Sequence, residues 1–143
     1  MGTLAVSIEQ IGPSTSRATA RSHSVIVDRP TAKGGADQGP LGGEYFLTGL
    51  GGCFTSHLLA AVRAREAAVS DVSVQLIGTL DGTPERFTTI AIEVSAACED
   101  AELLRKLVTI ADRGCQVMNT LRDTVQISME VEARAPLGTR ALS

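Results

Sequence analysis

The chain has 143 residues, 43% of them hydrophobic and 20% charged, with a net charge of −3. That length predicts one domain over residues 1–143 with a sizeable buried core. The mixed charge, one Tyr, three Phe and no Trp argue against a nucleic-acid surface. No uninterrupted apolar run approaches the roughly 18 residues of a membrane span. The start, MGTLAVSIEQ, lacks the basic and apolar regions of a signal peptide. A cytoplasmic address without a membrane partner is therefore expected.

In chain order, LAVSIEQ alternates apolar and polar residues and predicts a short strand. IGPSTS is a turn by composition, and ARSHSVIVD reads as the second strand of an N-terminal hairpin. Residues 29–43, RPTAKGGADQGPLGG, carry five glycines and two prolines and predict an irregular loop, a length often reserved for function. From Glu44 the residues Leu47, Leu50, Phe54, Leu58 and Val62 recur at the three- and four-residue spacing of one helix face. A long core helix ending before Asp71 follows from that pattern. VSVQLIGTLDG and RFTTIAIEVSAA predict a second hairpin around DGTPE. EDAELLRKLVTIADRGC predicts an amphipathic helix with acids in its first turn, Arg113 in its last and Gly114 as its C-cap. QVMNTLR predicts a further short helix, TVQISMEVEA a last strand, and APLGTRALS a frayed tail. Strands that pair as hairpins, with helices between the hairpins, make this an α+β protein.

The chemistry rests on three cysteines, Cys53, Cys98 and Cys115, in a compartment that keeps thiols reduced. Cys53 and Cys115 each follow glycine, in GGCF and RGCQV, and stand 62 residues apart. A thiol near a helix N-terminus has its thiolate stabilised, which Cys115 satisfies if QVMNTLR is helical. The alternative is that both simply pack, as free cysteines often do. Cys98, at a strand end, is expected to be a bystander. His57 lies four residues after Cys53 on the same helical face and is expected to face solvent or cap the helix. No metal site and no cofactor are expected. The glycines around Cys53 cost roughly 1 kcal/mol each in a helix. Close approach of a substrate or second chain, or packing of the helix against strands, accounts for them. Glu44 stands nine residues before Cys53. At about 100° per residue that is half a turn off the Cys53 face. A role at the helix N-terminus is its simplest reading.

Residues 23–133 resemble the OsmC/Ohr superfamily, the osmotically inducible and organic-hydroperoxide-resistance proteins. The segment GGADQGPLGGEYFLTGLGGCF is similar to the family's Glu-led helix ending in cysteine, "P-x-E-L-L-L-A-A-L-x-x-C". PERFTTIAIEV is similar to its strand "P-R-x-F-x-x-I-x-L". ADRGCQVMNTL places a second cysteine after an amphipathic helix, where the family often has C-P-V, and a final strand follows a short helix. The resemblance implies an OsmC-like α+β fold, antiparallel sheets around a long central helix, in an intertwined homodimer with active sites at the subunit interface. It implies a thiol-dependent peroxidase acting on organic or fatty-acid hydroperoxides. Cys53 would attack, Cys115 would resolve to a Cys53–Cys115 disulfide, and an external dithiol, of the lipoyl type that family members use, would restore both thiols. Arg29, with Arg21 and Arg17 as alternatives, would favour the Cys53 thiolate and Glu44 would hold the arginine. The alternative function is redox sensing or small-molecule binding with little turnover.

Overall fold

The computed structural model describes residues 2–136; the tail expected at residues 135–143 lies mostly outside them. The chain divides into two compact units, residues 1–48 and 49–143.

In the first unit, β1 (Ser7–Gln10), β2 (Ser16–Ala20) and β3 (His23–Val27) form an antiparallel meander. The expected single second strand is thus two. Arg21 adopts a positive φ of 55° and turns the chain inside ARSH, where no Gly or Pro announces a turn. Ile8, Ala18 and Val25 align across the sheet, and Ile8 and Val25 are 69% and 44% exposed. The loop after β3 is held by Asp28, only 3% exposed. Its carboxylate accepts from Thr15 Oγ1 at 2.8 Å and from the amides of Arg29 and Gln38 at 2.7 and 3.1 Å. Burial works against the charge, but these bonds and one from the Ser14 side chain hold the carboxyl well below the usual carboxylate range. Gly39 is required here, because a Cβ would stand 2.3 Å from the Ile26 carbonyl oxygen.

Helix α1 runs Gly42–Ala64, starting two residues before Glu44 and ending earlier than the sequence pattern suggests. Arg65 to Ala67 turn out of it, and Glu66 has a positive φ of 49°. By length and composition α1 is also apolar enough to cross a membrane, although no uninterrupted apolar run marks it. Its residues Leu50, Phe54, Leu58 and Ala61 recur on one face and are buried, the pattern of a core helix.

In the second unit, β4 (Ser70–Asp81), β5 (Arg86–Ala97) and β6 (Gln126–Arg134) form a sheet in that order. β4 and β5 pair antiparallel, as expected of a hairpin. β5 and β6 pair in parallel, a connection carried by α2 (Ala101–Gly114) and α3 (Gln116–Leu121). Three rows cross the inner face: Val74–Val94–Val131, Leu76–Ile92–Met129 and Gly78–Ile90–Ile127. Ile90, Ile92 and Val94 are buried there. α2 adds Leu104, Leu107, Val108 and Ala111 to the core. Asp100 caps α2 by accepting from Leu103 N. The residue past its end is Cys115, in extended conformation, so the expected glycine C-cap is absent and Gly114 is the last helical residue.

Candidate active site

Cys53 lies on α1 within the second unit and is partly exposed, whereas Cys115 is fully buried. The fold brings them close enough for the Cys53 thiol to raise the Cys115 pKa, and both are free. Cys115 sits at the joint between α2 and α3, where its Sγ accepts from Met118 N at 3.4 Å and so caps α3. Burial pushes its thiol up, and the neighbouring Cys53 adds to this, while the Met118 and Val117 amides work against it. A half-exposed thiol therefore faces a buried one that stays protonated to higher pH.

Gln116, the first residue of α3, reaches back over this pair. Its Oε1 lies 3.5 Å from Cys53 Sγ and 3.0 Å from His57 Nε2. His57 is thus neither a free surface side chain nor a cap but a member of the site. Neither Gln116 nor the role of His57 was visible from sequence spacing. The one signal that could have raised both is that His57 and Cys53 share a face of α1, while Gln116 adjoins Cys115.

Gly51 lies beside Cys53 because β4 crosses there: a Cβ would stand 2.4 Å from Leu76 Cδ1. Cβ atoms on Gly49 and Gly52 would meet nothing within 4 Å. Cys98 is buried and donates to the Asp100 carbonyl at 3.2 Å, a packing role.

The other site residues expected from sequence, Arg29 and Glu44, belong to the first unit. Arg29 is exposed, and its backbone amide serves Asp28. Glu44 Oε1 accepts from Leu41 N at 2.8 Å, reaching back to the residue before α1 as a capping-box acid does. Among the described residues Arg29 and Glu44 form no ion pair. Arg17 and Arg21 are also exposed.

An α+β chain with a buried thiol beside an accessible one defines a dithiol protein, and comparison with known proteins places it. Residues 34–130 match the family described as OsmC-like protein, and the chain belongs to that family. No curated protein matches the chain. Among solved structures, it is similar to a hypothetical protein of Aquifex aeolicus VF5, with a TM-score of 0.82, 16% identity and coverage of 95% of this chain and 99% of that one. It is similar to an organic hydroperoxide resistance protein OsmC of Legionella pneumophila, with a TM-score of 0.72, 19% identity and coverage of 94% and 98%. It is also similar to an organic hydroperoxide resistance protein of Bacillus subtilis, with a TM-score of 0.67, 19% identity and coverage of 91% and 98%. These likenesses establish the OsmC-like α+β fold expected from the sequence.

Proposed function

We infer that this protein is a thiol-dependent peroxidase that reduces organic hydroperoxides, fatty-acid hydroperoxides included, in defence against oxidative stress. The observation that carries the reading is the meeting of a partly exposed Cys53 with a fully buried Cys115. Family membership, and structural neighbours named for organic hydroperoxide resistance, support it.

In this reading the Cys53 thiolate attacks the outer peroxide oxygen. The O–O bond breaks, the alkoxide leaves and takes a proton, and Cys53 becomes a sulfenic acid. Cys115 then attacks that sulfur as its own proton leaves with the hydroxyl, giving a disulfide and water. An external dithiol, of lipoyl type in the reading drawn from the resemblance, reduces the disulfide by two exchange steps and becomes a cyclic disulfide itself. The division of labour suits the environments: the exposed thiol meets substrate, and the buried one stays protonated until its neighbour is oxidised. Arg29, or Arg21 or Arg17, supplies the cation that favours the Cys53 thiolate, and Glu44 orients it. The active form is a homodimer, and exposed Ile8 and Val25, aligned across the sheet through Ala18, support a covering second copy.

The test is a thiol count and intact mass after one equivalent of cumene hydroperoxide, with hydrogen peroxide in parallel. Wild type should lose two thiols rapidly and gain a Cys53–Cys115 disulfide, and Cys115→Ser should hold a sulfenic acid at Cys53. If Cys53 stays reduced for minutes with both oxidants, the reading fails and a binding or sensing protein replaces it.

A further inference from the structure

The thiol chemistry uses two sulfurs, yet the corner where α1 meets the α2–α3 joint also holds His57 and Gln116. Cys53 and His57 are one helical turn apart on α1, and Gln116 Oε1 lies within bonding distance of both, at 3.5 Å from Sγ and 3.0 Å from Nε2. A carbonyl oxygen donates nothing and has two lone pairs, so it accepts from both. That assignment places a hydrogen on Nε2 of His57 and directs the Cys53 S–H at the carboxamide. The far edge of the ring lies over Gly114, where a Cβ would stand 3.3 Å from Nδ1, so the last residue of α2 leaves it room. The titratable groups meeting at this corner are Cys53 and His57 from α1 and Cys115 from the joint.

We propose that Gln116, pinned by His57, is a positioning residue that holds the Cys53 proton. A thiolate has no hydrogen to give, and the carboxamide oxygen facing it is repelled. For Cys53 to ionise with a donor beside it, the carboxamide must turn over and present its N–H₂ to the sulfur, the proton passing to solvent. Turning breaks the bond from Nε2–H, so His57 acts as a catch on the thiol form, through Gln116 and not by its charge. The inference rests on Cys53 being the attacking sulfur, and it assigns to Gln116 and His57 control over when that sulfur becomes a nucleophile.

The test needs no peroxide. In a Cys98→Ser, Cys115→Ser background only Cys53 alkylates, and its rate with iodoacetamide against pH gives its ionisation midpoint. His57→Phe removes the catch and should lower the midpoint by about half a unit or more, the effect of losing one neutral hydrogen bond. His57→Gln, which keeps an N–H at similar reach, should restore it. In Gln116→Leu, or in Gln116→Met if that variant fails to fold, His57→Phe should then change nothing. An unchanged or raised midpoint in His57→Phe, or a fall that persists without Gln116, overturns the proposal. Because the readout is alkylation, failure of Cys53 to react with hydroperoxides would remove the peroxidase reading while leaving this result interpretable.

Discussion

Gly51 and Leu76 occupy the same crossing of α1 over β4: a Cβ on the glycine would stand 2.4 Å from Leu76 Cδ1. A methyl at Gly51 would therefore have to push the end of the Leu76 side chain aside, while glycine at other positions of this helix carries its propensity cost. Gly51→Ala gains about 1 kcal/mol of helix propensity and loses roughly 1–3 kcal/mol to overpacking, for a net loss of up to about 2 kcal/mol. Gly52→Ala meets open space within this chain and should gain up to about 1 kcal/mol. Urea unfolding of both variants checks the pair. A destabilised Gly52→Ala would mean that a second chain or a ligand comes against that residue.

The buried thiol predicts a weakness at alkaline pH. The folded-state pKa of Cys115 is raised, so its contribution to stability is complete below the ordinary thiol pKa and is lost as pH rises through the higher folded value. Under reducing conditions the unfolding free energy of wild type should fall across that window. Cys115→Ala should flatten the alkaline limb and cost about 1 kcal/mol near neutrality. An identical alkaline slope in the two proteins would count against this account.

Glu44 separates a helix-end role from a chemical one. Its carboxylate accepts from Leu41 N, a bond that glutamine can also accept. Glu44→Gln should keep stability within about 0.5 kcal/mol, while Glu44→Ala should lose about 0.5–1 kcal/mol. If Glu44 also orients an arginine for the Cys53 thiolate, Glu44→Gln should slow oxidation of Cys53 tenfold or more, on the order of 1.4 kcal/mol. Stopped-flow oxidation alongside thermal unfolding distinguishes the two. An unchanged oxidation rate would leave Glu44 as a cap alone.

Asp28 makes the loop after β3 sensitive to acid. Its folded pKa is depressed, so its stabilisation is present above the unfolded carboxyl pKa and is lost as pH falls through the lower folded value. Asp28→Asn removes this titration and weakens the bonds to Thr15 and the Arg29 and Gln38 amides. The acid limb of the stability profile should flatten, and limited proteolysis within residues 29–41 should speed up at neutral pH. A variant that keeps both the wild-type acid limb and the wild-type cleavage rate would remove Asp28 as the clasp.

Much of the fold was legible because its signals are local. β4, β5 and α2 follow from period-2 alternation around DGTPE and from the amphipathic spacing behind Asp100. The turn at Arg21 was missed because a positive φ at arginine carries no compositional flag. The parallel pairing of β6 with β5 was missed because alternation fixes which face of a strand is buried, not which strand lies beside it. At the site, the two cysteines stood out by residue type. The bond from His57 to Gln116 spans 59 positions and depends on how α1 meets the α2–α3 joint, which no local pattern encodes.

Cys53 and Cys115 bracket β4, β5 and α2, a stretch of 62 positions. A bond between the two sulfurs would close that stretch into a ring before any unfolding began. Rings of this size restrict the unfolded chain by about 4 kcal/mol on the chain-entropy account. The same two atoms would then set how readily the protein melts as well as what it reacts with. If that bond forms, the oxidised chain would be the more heat-resistant form and reduction would return the softer one.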